Sequence, residues 1–358
     1  MTYALDFTEQ DWERIEFDWT AWWAGELDRP IVVVENPVHA RLPEELSREF
    51  LLEKPVEELL TYYQTHLESK QIFGDAWPKW WPFFGAGVVA AFLGADLRCS
   101  PQTETIWFEP ADSSMARVKS PAYDPNNIWW RRIKTLTEAA VDFWSDRVCV
   151  GFTDLGGNLD ILASLQTSQT LLLDLYDDPE IVKDKSALVT HHWLRYYREL
   201  FAITQKSGRG TTPWAPMWAP GQCYMLQSDF SAMISPQMFE TFVLPDLAVC
   251  CKEFDFAFYH LDGRGQINHL DLLLSLEQLH GIQWIPGDGQ PSPAAWLVLL
   301  KRIIDAGKLC QLYVSVDDAR TIVRELGGRG FAFYITDTIK PQEAEQFIRS
   351  IISDNSKH

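Results

Sequence analysis

The chain has 358 residues, 46% of them hydrophobic and 23% charged, a length and balance that suit an ordinary globular protein with one large core. Its 31 basic and 50 acidic side chains leave a formal charge of −19, which argues against nucleic acid or an anionic membrane surface as a partner. No apolar run is long enough to span a bilayer, the acidic start MTYALDFTEQDWER lacks the basic region of a secretory leader, and six cysteines without a CxxC pair suit reduced thiols; the expected compartment is the cytoplasm.

In chain order, residues 1–28 read as a helical segment. Short β-branched or aromatic runs then recur between longer helical patterns: RPIVVVEN (29–36), a weaker QIFGDA (71–76), RVCVGFTD (147–154), TTPWAPMWAP (211–220), FAFYHLDG (256–263), GIQWIPG (281–287), KLCQLYVS (308–315) and GFAFYITD (330–337). The helical stretches 293–307 and 316–330 each end in glycine, a normal helix stop. About eight strands alternating with helices predict an α/β fold, a (β/α)8 TIM barrel holding residues 1–358 as one domain with 1–28 packed on it. The region 77–130, rich in Trp and Pro, fits the alternation poorly and reads as an irregular insertion or lid.

A barrel gathers its chemistry where strands end. Those ends carry Asn36, Asp75, Asp154, Trp218, His260 with Asp262, Asp288, Asp317 and Asp337. An aspartate there also serves as a helix N-cap, the commoner use for Asp317. Eight of the sixteen tryptophans cluster at 19–23, 77–81 and 214–218, as core anchors or as walls of a pocket for an apolar or cationic ligand. In FYHLDGRGQINHL, His260 and Asp262 share one face of an extended segment because strand side chains alternate with period two. The glycines at 263 and 265 let the loop turn away. His260 and Asp262 suit a metal, but more commonly such a pair serves a hydrogen-bonded turn in which no ion takes part.

The run CYMLQSDFSAMISPQMFETFVLPDL (223–247), then FYHLDG (258–263), then FAFYITDTIKPQEAEQFI (331–348), with IFGDAW (72–77) and DRPIVVV (28–34), resembles the uroporphyrinogen decarboxylase superfamily. That group includes the decarboxylase and the zinc-dependent methylcobamide:coenzyme M methyltransferases. The resemblance implies a TIM barrel with a deep pocket. The decarboxylase branch holds its many substrate carboxylates with an arginine-rich loop; here that loop is ENPVHARLPEEL with Arg41 as its cation, so porphyrinogen decarboxylation is not expected. The methyltransferase branch ligates zinc with His-x-Cys and a cysteine at the last strand, and the positions here carry His260, Asp262 and Asp337. This His/Asp/Asp set suits zinc, manganese or ferrous iron held labilely.

Resemblance also implies Asp75 as a catalytic acid and Asp229 as an acid kept near the pocket, which serves equally well as a helix cap. His260, Asp75 and Asp229 are therefore the expected catalytic groups. Trp81, Trp218, Tyr259, Gln283 and Asn36 are the expected substrate-binding groups. The leading expectation is a methyltransferase-like enzyme acting on a small molecule, its methyl donor a corrinoid on a partner protein, since no DxHxxG corrinoid motif occurs in the chain. Alternatives are a metal-assisted decarboxylase or lyase on a non-porphyrin substrate, and a catalytically silent barrel that sequesters an apolar ligand. A homodimer is compatible with all of them.

Overall fold

Residues 2–37, 43–100, 105–111 and 120–355 are described by the structure, a computed structural model of the chain; Arg41 lies outside them. The strands in chain order are β1 (Thr2–Tyr3), β2 (Ile31–Asn36), β3 (Gln71–Gly74), β4 (Lys79–Trp80), β5 (Ala95–Ser100), β6 (Thr105–Pro110), β7 (Cys149–Val150), β8 (Cys223–Gln227), β9 (Phe256–Asp262), β10 (Leu279–Ile285), β11 (Leu309–Val314) and β12 (Phe331–Ile335). Strands β8 to β12 stand side by side in sequence order, all parallel, and β12 pairs in parallel with β2. The first long strand is thus the neighbour of the last. β4 and β7 form a separate parallel pair. The molecule is mixed α/β with a largely parallel sheet, and the sheet's strands read as apolar runs because helices cover it. Among the described residues no helix is long and apolar enough to cross a membrane.

Three segments differ from the sequence expectation. Gln71–Gly74 does form a strand, but β3 runs antiparallel to β2, and β1 adds antiparallel to it. TTPWAPMWAP is a loop closed by one bridge, Thr211 to Ala219; Pro213, Pro216 and Pro220 cannot donate to a ladder, and the parallel position falls to Cys223–Gln227. The region 77–130 supplies β4, a short helix Val89–Phe92 and the β5–β6 hairpin.

The N-terminal helix Glu9–Trp23 starts with a reciprocal cap, Thr8 and Asp11 each bonding the other's backbone N–H. It buries Trp12, Ile15, Trp19, Trp22 and Trp23 on one side, spaced for one helix face. Three of the indoles donate to backbone carbonyls far along the chain: Trp19 to Asp75 (3.0 Å), Trp22 to Phe331 (3.1 Å) and Trp23 to Trp218 (2.8 Å). Burying each indole, about 200 Å² of surface, contributes roughly 5 kcal/mol before ordering costs. Trp218 belongs to this set of anchors: it is buried, and its own N–H donates to Arg209 O at 2.8 Å.

Asp75 sits beside the same helix. Its carboxylate takes two bonds from Arg29 (2.7 and 2.9 Å) and one from Val32 N (2.8 Å), and Arg29 also reaches Asp18 at 2.9 Å. The forked pair joins β2, the turn after β3 and the N-terminal helix. Removing one member of a buried pair strands the other charge. Asp75→Ala is therefore expected to cost about 3–5 kcal/mol in chemical denaturation, and Asp75→Asn less. A variant as stable as the native chain would show that the pair carries no such weight.

Candidate functional site

β9 presents His260 and Asp262 on one face, as period-two alternation requires, and buries Tyr259 and Leu261 on the other. Tyr259 faces away from the pair and donates to Gln266 at 3.2 Å. The second acid beside them is Asp229, from the 3-10 turn Asp229–Met233 that follows β8. Asp229, His260 and Asp262 each offer a ligand atom within 4.8 Å of the others. Two glycines make the approach possible. Gly263 takes φ +76° directly after Asp262, a conformation that other residues rarely adopt. Gly265 comes so near the Asp229 turn that a Cβ on it would stand 3.0 Å from Ala232 Cβ.

Asp337 does not join this group. Its carboxylate accepts from Val316 N at 2.7 Å, while Ser315 accepts from Asp318 N at 3.1 Å, so the two together cap the helix Val316–Leu326. Its place at a strand end makes it a candidate ligand, but its Oδ2 serves the cap instead. Asp75 is held in the ion pair described above, and Asn36 clips the end of β2 to Ile339, donating to its carbonyl and accepting from its N–H at 3.4 Å.

Polar side chains continue the site into the sheet. In register, Gln227 of β8 stands beside His260, His260 beside Gln283 of β10, and Gln283 beside Gln311 of β11. His260 Nδ1 bonds to Gln283 Oε1, and Gln283 Nε2 donates to Gln311 Oε1. At the other end Gln227 Nε2 donates to Asp154 at 3.2 Å.

Two recesses adjoin the site: none of the three side chains lines the first, and Asp229 lines the second. A cavity of about 400 Å³ is walled by Trp80, Trp81, Trp214, Tyr313 and Tyr334, and the Trp214 ring stands edge-on to His260 at 5.2 Å. Trp81 is on this wall; Trp218 and Asp75 are not among the lining residues. Glu35 also faces the cavity and holds Lys70 at 2.8 Å and Lys79 in direct contact. Burial alone would raise its carboxyl, but the two ammonium charges bring it down to about 2. A second recess of about 290 Å³ includes Asp160, Asp229, Phe108 and Met233.

The acids on this side are pushed the opposite way. Asp154 is raised to about 7 by burial first, with the Gly156 amide opposing and the Asp229 charge adding to the rise. Asp160 moves upward through burial and then Asp229, although it accepts amide hydrogens from Asp229 (3.0 Å) and Phe230 (2.6 Å). Asp229 is raised by desolvation, relieved by His260 and raised further by Asp262.

Sequence reasoning passes over Glu35, Lys70, Lys79, Asp160 and Gln311. A lone Glu inside IVVVEN and single glutamines inside CYMLQ, GIQWI and KLCQLYV are the available signal. Polar groups in otherwise apolar strands must find partners inside.

Asp154 gives a titration with a definite sign. Its folded pKa lies above the ordinary carboxyl value of about 3.9, so the folded chain binds the extra proton between those values. Stability is then full at low pH and falls as pH rises through about 4 to 7. Asp154→Asn stays neutral throughout and keeps the acceptor oxygen. Its melting temperature should fall less than the native chain's between pH 5 and pH 8, and parallel melting curves for the two would contradict the assignment.

No protein-family model matches the chain, and no curated protein matches it in sequence. Comparison of structures does find likeness: a methyltransferase from Methanosarcina mazei superposes with a TM-score of 0.59 over 96% of this chain and 98% of that one, at 11% sequence identity. Agreement across nearly the whole of both chains at so low an identity shows a shared fold and leaves the chemistry to be argued from the site.

Proposed function

We propose that the chain is a methyltransferase-like enzyme that methylates a small-molecule nucleophile, with Asp229, His260 and Asp262 as ligands of a divalent cation. The observation that carries this reading is the meeting of three ligand atoms within 4.8 Å against a cavity whose aromatic wall touches His260 through Trp214. One imidazole and two carboxylates suit zinc, manganese or ferrous iron and leave coordination positions for a substrate. Bound there, the ion supplies Lewis acidity, lowering the pKa of a thiol or similar acceptor so that it meets the methyl donor as an anion.

The chain's own residues do the rest. Trp81, Trp214, Tyr313 and Tyr334 wall the acceptor's apolar part. Glu35 with Lys70 and Lys79 sets a fixed charged edge on the cavity. We take the donor to be a corrinoid carried by a separate protein. We also read β2, β4, β7 and β8 to β12 as eight parallel segments of one closed (β/α)8 barrel; the pairing of β2 with β12 supports it, and an experimental structure with β4 and β7 outside the ring of strands would break it.

Elemental analysis after dialysis against zinc, manganese or ferrous iron tests the ligand set. The native chain should retain about one ion per chain, and Asp229→Ala and the double variant His260→Ala with Asp262→Ala should lose it. Asp337→Ala should retain the metal while lowering the melting temperature, because it removes a cap. Equal retention by all four proteins, or none by the native chain, would rule the ligand set out.

Methyl transfer is the second test. With a methylated corrinoid as donor and a small thiol as acceptor, the native chain should demethylate the corrinoid faster than the Asp229→Ala chain, by at least roughly 100-fold. Trp214→Ala should raise the acceptor KM with a smaller effect on kcat. Equal rates in the native and Asp229→Ala chains would remove the methyl-transfer reading.

A further inference from the structure

A histidine that holds a metal through one ring nitrogen keeps the other protonated and hydrogen-bonded, and the partner of that N–H chooses the tautomer. We propose that Gln283 and Gln311 form a hydrogen-bond relay that fixes His260 as its Nδ1–H tautomer, with Gln311 as a positioning residue two strands from the ring. The proposal rests on the ligand set above for its purpose, though not for its geometry.

Parallel register alone brings the three side chains into one row, His260 on β9, Gln283 on β10 and Gln311 on β11. Both glutamines are buried, at 0% and 1% exposure, so water does not readily stand in for a missing partner. An amide offers an acceptor at one end and donors at the other. Polarity is therefore handed along the row. Gln311 turns its oxygen to Gln283, Gln283 answers with its N–H, and the oxygen of Gln283 is left facing His260 Nδ1. An oxygen there accepts only, so the ring proton sits on Nδ1. Nε2 keeps its lone pair and is the nitrogen available to an ion.

With Gln311 oriented as it stands, its Nε2 unpartnered among the described residues at the far end of the row, turning the Gln283 amide over would set its oxygen against the Gln311 oxygen, two acceptors in a buried contact. It would also aim an N–H at Nδ1 and drive the ring proton to Nε2, where it blocks coordination. The oxygen of Gln311 thus opposes the wrong tautomer without touching the ring. Trp214, edge-on to His260 at 5.2 Å, limits rotation of the ring as a whole.

The tautomer can be read without metal or activity, from ¹⁵N shifts of the His260 ring in metal-free protein at about pH 8.5, above the ordinary histidine range. A His260→Gln chain assigns the signals. The native protein should show a pyrrole-type Nδ1 and an imine-type Nε2. In Gln311→Leu the two shifts should move toward each other as tautomers mix, and zinc affinity should fall roughly 10-fold or more, within the 10–100-fold usual for the partner of a ligand. Gln311→Glu should restore both readings, since either protonation state offers an acceptor oxygen to Gln283.

An Nε2–H tautomer in the native protein overturns the relay even if no variant folds. Unchanged ring shifts in folded Gln311→Leu overturn it as well, and zinc held equally by that variant would leave the ligand set standing. Shifts that respond as expected while no protein, native included, holds zinc would support the relay and defeat the ligand set.

Discussion

The parallel register of β8 to β11 is the constraint on which the site depends. It sets Gln227, His260, Gln283 and Gln311 side by side where a covered sheet normally carries Val, Ile or Leu. Polar groups in such a place are costly unless each finds a partner. The row answers most of this with side-chain bonds running from Gln311 to His260 at one end and from Gln227 to Asp154 at the other, leaving Gln311 Nε2 without a partner among the described residues. A one-residue slip in any of these pairings would send a member of the row to the opposite face. Register thus decides which groups meet, and the chemistry of the individual residues acts only within that choice.

Tryptophan divides into two populations for a related reason. Trp19, Trp22, Trp23 and Trp218 place their rings in the core and satisfy each N–H with a backbone carbonyl. Trp81 and Trp214 instead wall a cavity. An indole is a large apolar body with one donor, and both settings suit it equally. Composition shows the abundance of tryptophan; only the position of the N-terminal helix against the sheet shows which rings are anchors.

The second half of the fold is legible in the sequence because its strands are long, apolar and each followed by a helical pattern; β9 to β12 lie where the periodicity puts them. The first half is legible only in part: RPIVVVEN holds β2, QIFGDA holds β3 and RVCVGFTD holds β7. β4 and β7 are two residues each, too short to show any period, and the aromatic run at 211–220 imitates a strand while its prolines prevent one. Within the site, alternation by itself puts His260 and Asp262 on one face. The second acid is beyond its reach, because Asp229 approaches by a tertiary contact at Gly265, while Asp337, the more regular candidate by position, is taken by a helix N-terminus. Strand ends bring several acids near one another, and the local backbone decides which of them remain available.

Electrostatics separates two kinds of acid in this one molecule. Glu35 has two lysines and stays ionised down to about 2. Asp154, Asp160 and Asp229 are all pushed upward, each in part by a neighbouring carboxylate, and the opposing charge facing Asp229 comes from His260, among the described residues. Carboxylates gathered without lysine or arginine must be relieved either by protons or by a cation. Those two forms of relief compete for the same oxygens, because a ligand carboxylate has to lose its proton to coordinate. The raised acids and the convergent ligand set are in this sense one feature, and the affinity of the site for an ion should rise with pH over the interval in which Asp229 and its neighbours give up their protons.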